Sequence, residues 1–289
     1  MTNYSIIIPH KNCPDLLSGL LKSIPKREDV QIIVVDDNSD HNVVNLLKKI
    51  ASDYSNVEVL FTKENKGAGY ARNLGVSKAK GKWLIFSDSD DTFITDNLNV
   101  VMDRYANSDS DIIYFSIDCL DFKTKQPRNN ADRVYLKYIH SLADKENLCR
   151  YKLLVPWGKF VKSELVYNNN ILFDETKVGN DGWFSLQTGF FAKKVNVDDT
   201  KVYNWMIHEK SLTTCQSLEA RLIHFGLAVR LNRFKESHDL EKYRSSLFVY
   251  IPMLHRSGMS YVNSLKLVLR NTKRNFILTD ILSVLKKMW

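Results

Sequence analysis

Three carboxylates stand within four residues at Asp88-Ser89-Asp90-Asp91, directly after the apolar run Trp83-Leu84-Ile85-Phe86. Like charges this close need a cation, hydrogen-bond donors or bulk water. A hard divalent ion suits them, because Mg²⁺ or Mn²⁺ takes one or two carboxylates and completes its shell with phosphate oxygens. The plainer reading is a solvated acidic turn that caps the next helix. Placement at the end of a buried strand weighs against it.

A second acidic group, Asp36-Asp37-Asn38-Ser39, follows Ile32-Ile33-Val34-Val35. A carboxylate here can accept the imide N–H of a uracil or a ribose hydroxyl. The competing reading is a strand-to-helix turn, since Asp, Asn and Ser all suit helix N-caps. A third segment, Asn65-Lys66-Gly67-Ala68-Gly69-Tyr70-Ala71-Arg72-Asn73, sets two glycines and two cations at a helix start. Helix N-termini and basic side chains attract anions. A plain Gly-rich turn with a surface Arg is the alternative. The dinucleotide fingerprint G-x-G-x-x-G fails because the third glycine is Gly75, which argues against a dehydrogenase.

The surrounding elements place these groups. Apolar runs at Tyr4 to Pro9, Val30 to Val35, Val57 to Phe61, Trp83 to Phe86 and Ile112 to Phe115 read as strands. Helical spacing falls between them: from Pro14, over Val43 to Ala51, over Ala68 to Lys78, and near Leu98 to Tyr105. Strands alternating with helices imply right-handed crossovers and a mostly parallel, Rossmann-like sheet flanked by helices, an α/β fold. Ligands of such sheets bind beyond the carboxyl ends of the strands. That rule selects Pro9 to Asn12, Asp36 to Ser39 and Ser87 to Asp91. Residues 123–133 read as a polar loop, short mixed segments reach about Thr214, and the chain from Ser217 reads as helical.

The order of these motifs resembles the family 2 glycosyltransferases, inverting enzymes with the GT-A fold. The resemblance rests on Ser5-Ile6-Ile7-Ile8-Pro9, Val35-Asp36-Asp37-Asn38-Ser39, Glu64-Asn65-Lys66-Gly67 with Ala71-Arg72-Asn73-Leu74-Gly75, and Phe86-Ser87-Asp88-Ser89-Asp90-Asp91. Together these cover the first 91 residues. Weaker matches follow at Pro156-Trp157-Gly158-Lys159, at Gly179-Asn180-Asp181-Gly182-Trp183, and from His208 to Ser211. The resemblance implies a UDP-sugar donor and a glycan or lipid-linked saccharide acceptor, as in capsule or O-antigen assembly. It implies that Asp37 binds uracil, with Pro9, His10, Asn12, Asn65, Lys66, Gly67, Arg72, Asp88 and Ser89 around the nucleotide. Asp90 with Asp88 would hold Mn²⁺ or Mg²⁺, and Asp181 would be the general base. Trp157, Lys159, Asn180 and Trp183 would face acceptor or donor sugar, and His208 and Ser211 the diphosphate. The sequence departs from the family pattern in three places. Asn180 stands for the usual Glu, His10-Lys11-Asn12 for Thr-Tyr-Asn, and Asn38 for a common Gly. By its residue type alone, Asp181 reads equally as an N-cap of the helix that follows.

Composition is consistent with a globular protein. Of 289 residues, 44% are hydrophobic and 26% charged. Cys13, Cys119, Cys149 and Cys215 show neither C-x-x-C nor zinc-ligand spacing, which suggests reduced thiols in a cytoplasmic protein. No signal-peptide pattern and no apolar run of about 18 residues is present. The chain reads as two halves of one domain, 1–115 binding the nucleotide sugar and 116–215 the acceptor, with a helical extension over 216–289. Twelve basic and four acidic residues follow Val229, so the whole net charge of +8 lies there. Lys266, Arg270, Lys273, Arg274, Lys286 and Lys287 alternate with apolar residues, as in helices that lie on anionic membrane surfaces. A packed helix with a solvated basic face is the plainer alternative. Two other functions fit less well. A nucleotidyltransferase would carry a Gly-rich basic loop after the first strand. A nucleic-acid-binding protein would have no need of the carboxylates, so no nucleic acid partner is expected.

Overall fold

The structure, a computed structural model, describes residues 2–128, 133–208 and 217–285. It divides into two compact units: Met1–Thr176 with Asn180–His208, and Lys177–Gly179 with Glu209–Trp289.

The first unit opens with four parallel strands, β1 (Tyr4–His10), β2 (Val30–Asp36), β3 (Val57–Phe61) and β4 (Trp83–Phe86). All seven residues of β1 and all four of β4 are buried. That is expected of strands covered by helices on both faces. The helices between them are α1 (Pro14–Ser23), α2 (His41–Ser52) and α3 (Ala68–Lys78). Pro14 starts α1, where a missing N–H does no harm. Helix α3 lies close on the sheet, since a Cβ on Gly75 would stand 2.5 Å from Ile7 Cγ2. Asn38 adopts φ 57°, so it supplies the left-handed turn that glycine would otherwise provide.

The second half of the sheet is mixed rather than parallel throughout. After the short β5 (Thr92–Phe93) and α4 (Thr95–Tyr105) comes β6 (Ile112–Asp121). It runs six residues past the expected end at Phe115, so the two expected halves share one sheet. Two helices, α5 (Arg133–Ile139) and α6 (Lys145–Lys152), lead to β7 (Lys159–Lys162). This strand inserts antiparallel between β4 and β6. Helices α7 (Ser163–Asn168) and α8 (Gly182–Phe191) precede β8 (Val195–Ile207), which pairs parallel with β6 and antiparallel with β5. The strand order among the described residues is β3-β2-β1-β4-β7-β6-β8-β5. Sequence periodicity reveals strands but not direction, so the inserted β7 was not foreseeable from it. The expected loop at 123–133 doubles back to bridge Leu120 with Pro127, and α5 begins at Arg133.

The second unit is helical. It contains α9 (Leu218–Glu236), α10 (Tyr250–Arg256), α11 (Tyr261–Asn271) and α12 (Arg274–Leu285). Ser217 caps α9 by accepting from the Ala220 N–H. Phe225, Val229, Leu247, Phe248, Ile251 and Val268 form a separate apolar core, against which Leu265, Ile277, Ile281 and Val284 pack. Arg244 joins Glu236 and Asp280 beneath α12, with its guanidinium over the Phe276 ring. Leu278, Leu282 and Leu285 remain exposed on the opposite face of α12. No described helix is long and apolar enough to cross a membrane.

Candidate active site

The turn after β4 sorts its three carboxylates. Asp88 and Asp90 keep 37% and 42% of their side-chain surface exposed, while Asp91 keeps 2%. Asp91 accepts the Tyr203 hydroxyl at 2.6 Å and the Met206 N–H at 2.7 Å. The expectation of three carboxylates around one ion is thereby corrected: two face outward and the third anchors the turn to β8. Burial, and then the charges of Asp88 and Asp90, push the Asp91 carboxyl well above the usual range. Burial and the Asp88 charge likewise raise Asp90, against the pull of His208. The His208 ring stacks on Phe122, and its Nε2 lies 3.2 Å from Asp90 without hydrogen-bond alignment. His208 therefore sits beside the Asp90 carboxylate. Ser211 lies outside the described residues.

Among the described residues, no three His, Cys, Asp or Glu side chains form a metal cage of their own. Asp88 and Asp90, with His208 alongside, instead form an open set rich in oxygen and in uncompensated negative charge. That set fits Mg²⁺ or Mn²⁺ completing its shell with the oxygens of a diphosphate.

Arg72 connects this turn to the far side of the site. Its guanidinium donates to Asp88 and to Asn180 Oδ1, the latter at 2.8 Å, and lies over the Phe173 ring. Arg72 is buried, so it braces protein carboxylate and amide rather than offering a surface charge to an anion. Asp181 follows at the N-cap of α8, half-buried, and makes no capping hydrogen bond through its side chain. The helix-cap reading thus accounts for its position but not for its carboxylate. Burial raises that carboxyl above the ordinary range, as does the Asp88 charge, while Arg72 and Lys159 pull it down. A raised carboxyl is a stronger proton acceptor.

Two expected sugar contacts prove to be internal. Trp157 is 6% exposed, stacked between Tyr203 and Tyr135. Lys159 is 2% exposed, with its ammonium 3.2 Å from Ser185 Oγ. An aromatic and a cation beside glycine suggest a sugar platform, but here the apolar bulk of both was needed by the core. Asn180 spends its amide oxygen on Arg72. Trp183 stands half-buried in the first turn of α8, next to Asp181.

The ends of β1 and β2 are laced together. His10 pairs with Asp36 in the strand register, and Nδ1 lies 2.8 Å from the Asp36 carboxylate. Its ring is enclosed, which corrects the expectation that it meets the nucleotide directly. Pro9 is likewise buried within β1. Asn12 adopts φ 52° and accepts the Asp40 N–H, tying the two loops. Asp37 accepts the N–H groups of Lys66 and Gly67 at 3.0 and 2.8 Å. Those amides, expected to face an anion, are committed to Asp37. Asn65 and Lys66 are exposed, and the Lys66 ammonium lies over the Tyr70 ring. Ser89 Oγ is 3.1 Å from Cys13 Sγ.

The strand ends therefore gather a carboxylate pair, a bridging guanidinium and an uncapped carboxylate. The sequence model of glycosyl transferase family 2 matches residues 5–162, more than half of the chain. The chain belongs to glycosyl transferase family 2. Among curated family members it is 24% identical over 269 residues to the putative glycosyltransferase EpsH of Bacillus subtilis, covering 88% of this chain and 75% of that one. Two solved structures share the fold. Staphylococcus aureus TarS bound to UDP-GlcNAc gives a TM-score of 0.63 at 18% identity, over 95% of this chain and 73% of that one. The mannosyltransferase PcManGT of Pyrobaculum calidifontis, bound to GDP-Man and Mn²⁺, gives 0.63 at 13% identity, over 99% and 81%. The glycosyltransferase fold expected from the motifs is the one observed.

Tyr203 was missed by the sequence reading, though it organises the family's acidic turn. Its hydroxyl donates to Asp91 and accepts the Asp88 N–H at 3.1 Å. It lies 115 residues from Asp88 with no motif around it, so only the sheet pairing brings it there.

Proposed function

We propose that this glycosyltransferase moves a sugar from a UDP-sugar to a hydroxyl of a glycan or lipid-linked saccharide, with inversion, in the assembly of a bacterial surface polysaccharide such as capsule or O-antigen. The observation that carries the reading is Asp181. It is a half-buried carboxylate, uncapped, braced through Asn180 and Arg72 to the Asp88 turn. Asp181 accepts the proton of the acceptor hydroxyl as that oxygen attacks the anomeric carbon. One base and no protein nucleophile mean a single displacement, so an α-linked donor gives a β-linked product. Asp88 and Asp90, with His208 at the margin, would hold Mn²⁺ or Mg²⁺, which offsets the charge developing on the departing diphosphate. Asp37 orders the Lys66–Gly67 turn and leaves that turn to border the nucleotide. The UDP donor is supported by the TarS complex with UDP-GlcNAc, a relative that forms a β-linked product. Work at the cytoplasmic membrane surface is supported by the exposed basic and apolar residues of α11 and α12.

The test is Asp181→Asn, which is nearly isosteric but cannot accept a proton at neutral pH. It should bind UDP-sugar with unchanged affinity and lose roughly 10² to 10⁴ in kcat. A variant with full kcat removes Asp181 from the mechanism.

A further inference from the structure

Lys159 is a buried cation that the mechanism above does not use. It opens β7 in the middle of the sheet and is 2% exposed. Its ammonium donates to Ser185 Oγ at 3.2 Å, and the Ser185 hydroxyl in turn donates to the Val155 carbonyl at 3.0 Å. Its next neighbours are the Tyr114 ring at 5.7 Å and the buried thiol of Cys149. An ammonium removed from water to this extent is expensive, and an apolar side chain of similar volume at such a place is often neutral or stabilising. The fold of β7 does not need the charge.

The position of Ser185 suggests what does. Its N–H donates to the Asp181 carbonyl at 3.0 Å, so it lies one helical turn beyond Asp181 on α8. Lys159 thus stands under the first turn of the helix whose N-cap is the proposed base. Asp181 is the carboxylate whose charge acts on Lys159, and Lys159 with Arg72 supplies the positive charge that acts on Asp181. Asp88 opposes both. Arg72 is already committed to Asp88, which leaves Lys159 as the cation without a competing carboxylate.

We propose that Lys159 is a positioning residue that acts through Asp181, its buried ammonium keeping the carboxylate ionised while its bond to Ser185 fixes the first turn of α8. The inference rests on the reading of Asp181 as the base. Burial lowers the Lys159 ammonium to about 7, against the pull of Asp181. Charge on the lysine is therefore maintained by charge on the aspartate, and the reverse holds equally.

Two measurements test this. In Lys159→Met, the pH profile of kcat should lose its acidic side first. The loss relative to wild type should be roughly fivefold or more greater at pH 6 than at pH 8, because one unit of proton affinity is a tenfold change in the ionised fraction. UDP affinity should stay within about twofold and thermal stability should not fall. A loss of kcat equal at every pH overturns the proposal and leaves Lys159 a packing residue, and so does an unchanged profile. If Lys159→Met does not fold, the second measurement stands alone: an NMR titration of the ¹⁵N-labelled Lys159 ammonium in wild type and in Asp181→Asn. The proton affinity should fall roughly tenfold in the variant. Equal titration in the two proteins refutes the coupling. Transfer surviving in Asp181→Asn would instead remove the base, a failure visible in that variant's own kcat.

Discussion

Asp88, Asp90 and Asp91 are adjacent in sequence but differ in task, and the difference is readable in solution. Two of them face outward with their charges uncompensated, so a divalent cation should stabilise the fold as well as support turnover. At a hundredfold excess over its Kd, Mn²⁺ should raise Tm by roughly 5–10 °C, since about 2.7 kcal/mol then accrues and each kcal/mol is worth about 2–4 °C in a domain of this size. Asp90→Ala should abolish both the shift and the turnover, and its Tm without metal should equal or exceed that of wild type. Full activity in excess EDTA would remove the metal from the reaction. His10 gives a second prediction. Burial alone would lower its proton affinity, but the bond to Asp36 and the contact with Cys13 outweigh burial and raise it from 6.5 to about 9. A raised folded value means that the stabilisation is fully present below pH 6.5 and is lost as pH rises through about 9. Thermal melts from pH 6 to 10 should show this decline, and His10→Gln should flatten it. A parallel decline in the variant would assign the effect to other groups.

The start of α3 shows how closely elements must approach to build the site. A Cβ on Gly69 would stand 1.9 Å from the Asp174 carbonyl oxygen and 3.0 Å from Asn180 Cβ. The obstacle is backbone, so Gly69→Ala must push α3 away from the segment that carries Asn180 and Asp181. Overpacking of this kind costs about 1–3 kcal/mol. Here the same displacement would pull Asn180 from Arg72, so kcat should fall further than stability alone explains. An unchanged kcat in folded Gly69→Ala would show that the helix start and the base loop are not mechanically linked. In the sequence this glycine reads as part of a phosphate-binding turn; its work is packing. The parallel strands β1 to β4 were legible to within about a residue, because β-branched runs buried on both faces have no other plausible use. The Asp88 turn and Asp181 were legible as candidates for the same reason of placement. What escaped was everything decided by pairing across the sheet: the antiparallel β7, the inward turn of Asp91, and Tyr203 beneath it. Trp157 and Lys159 were misassigned because residue type gives chemistry without giving direction, and both point into the core.

At the scale of the molecule, the positive charge and an apolar face coincide on the last two described helices. Lys266, Arg270, Lys273 and Arg274 are exposed, as are Leu278, Leu282 and Leu285, while Ile277 and Ile281 pack inward. Packing and docking are therefore not alternatives for α12, since its two faces can serve one each. Lys273 already pairs with Glu236 at 3.0 Å, so fewer than all of these charges are available to a surface. Each available one contributes roughly 1 kcal/mol near an anionic bilayer. The intact protein should cosediment with anionic liposomes at low salt and release at high salt. Leu278→Ser combined with Leu282→Ser should release it at low salt without loss of donor hydrolysis. Indifference to anionic liposomes at low salt would leave the exposed leucines to another role. The Arg72 fork also constrains how this enzyme could be remade. A chimera that took residues 170–190 from a relative with Glu at position 180 would bring a second carboxylate to a guanidinium already holding Asp88. Acceptor specificity is then not a cassette to be exchanged alone: a graft that changes position 180 should succeed only when the Arg72 side of the pairing is exchanged with it.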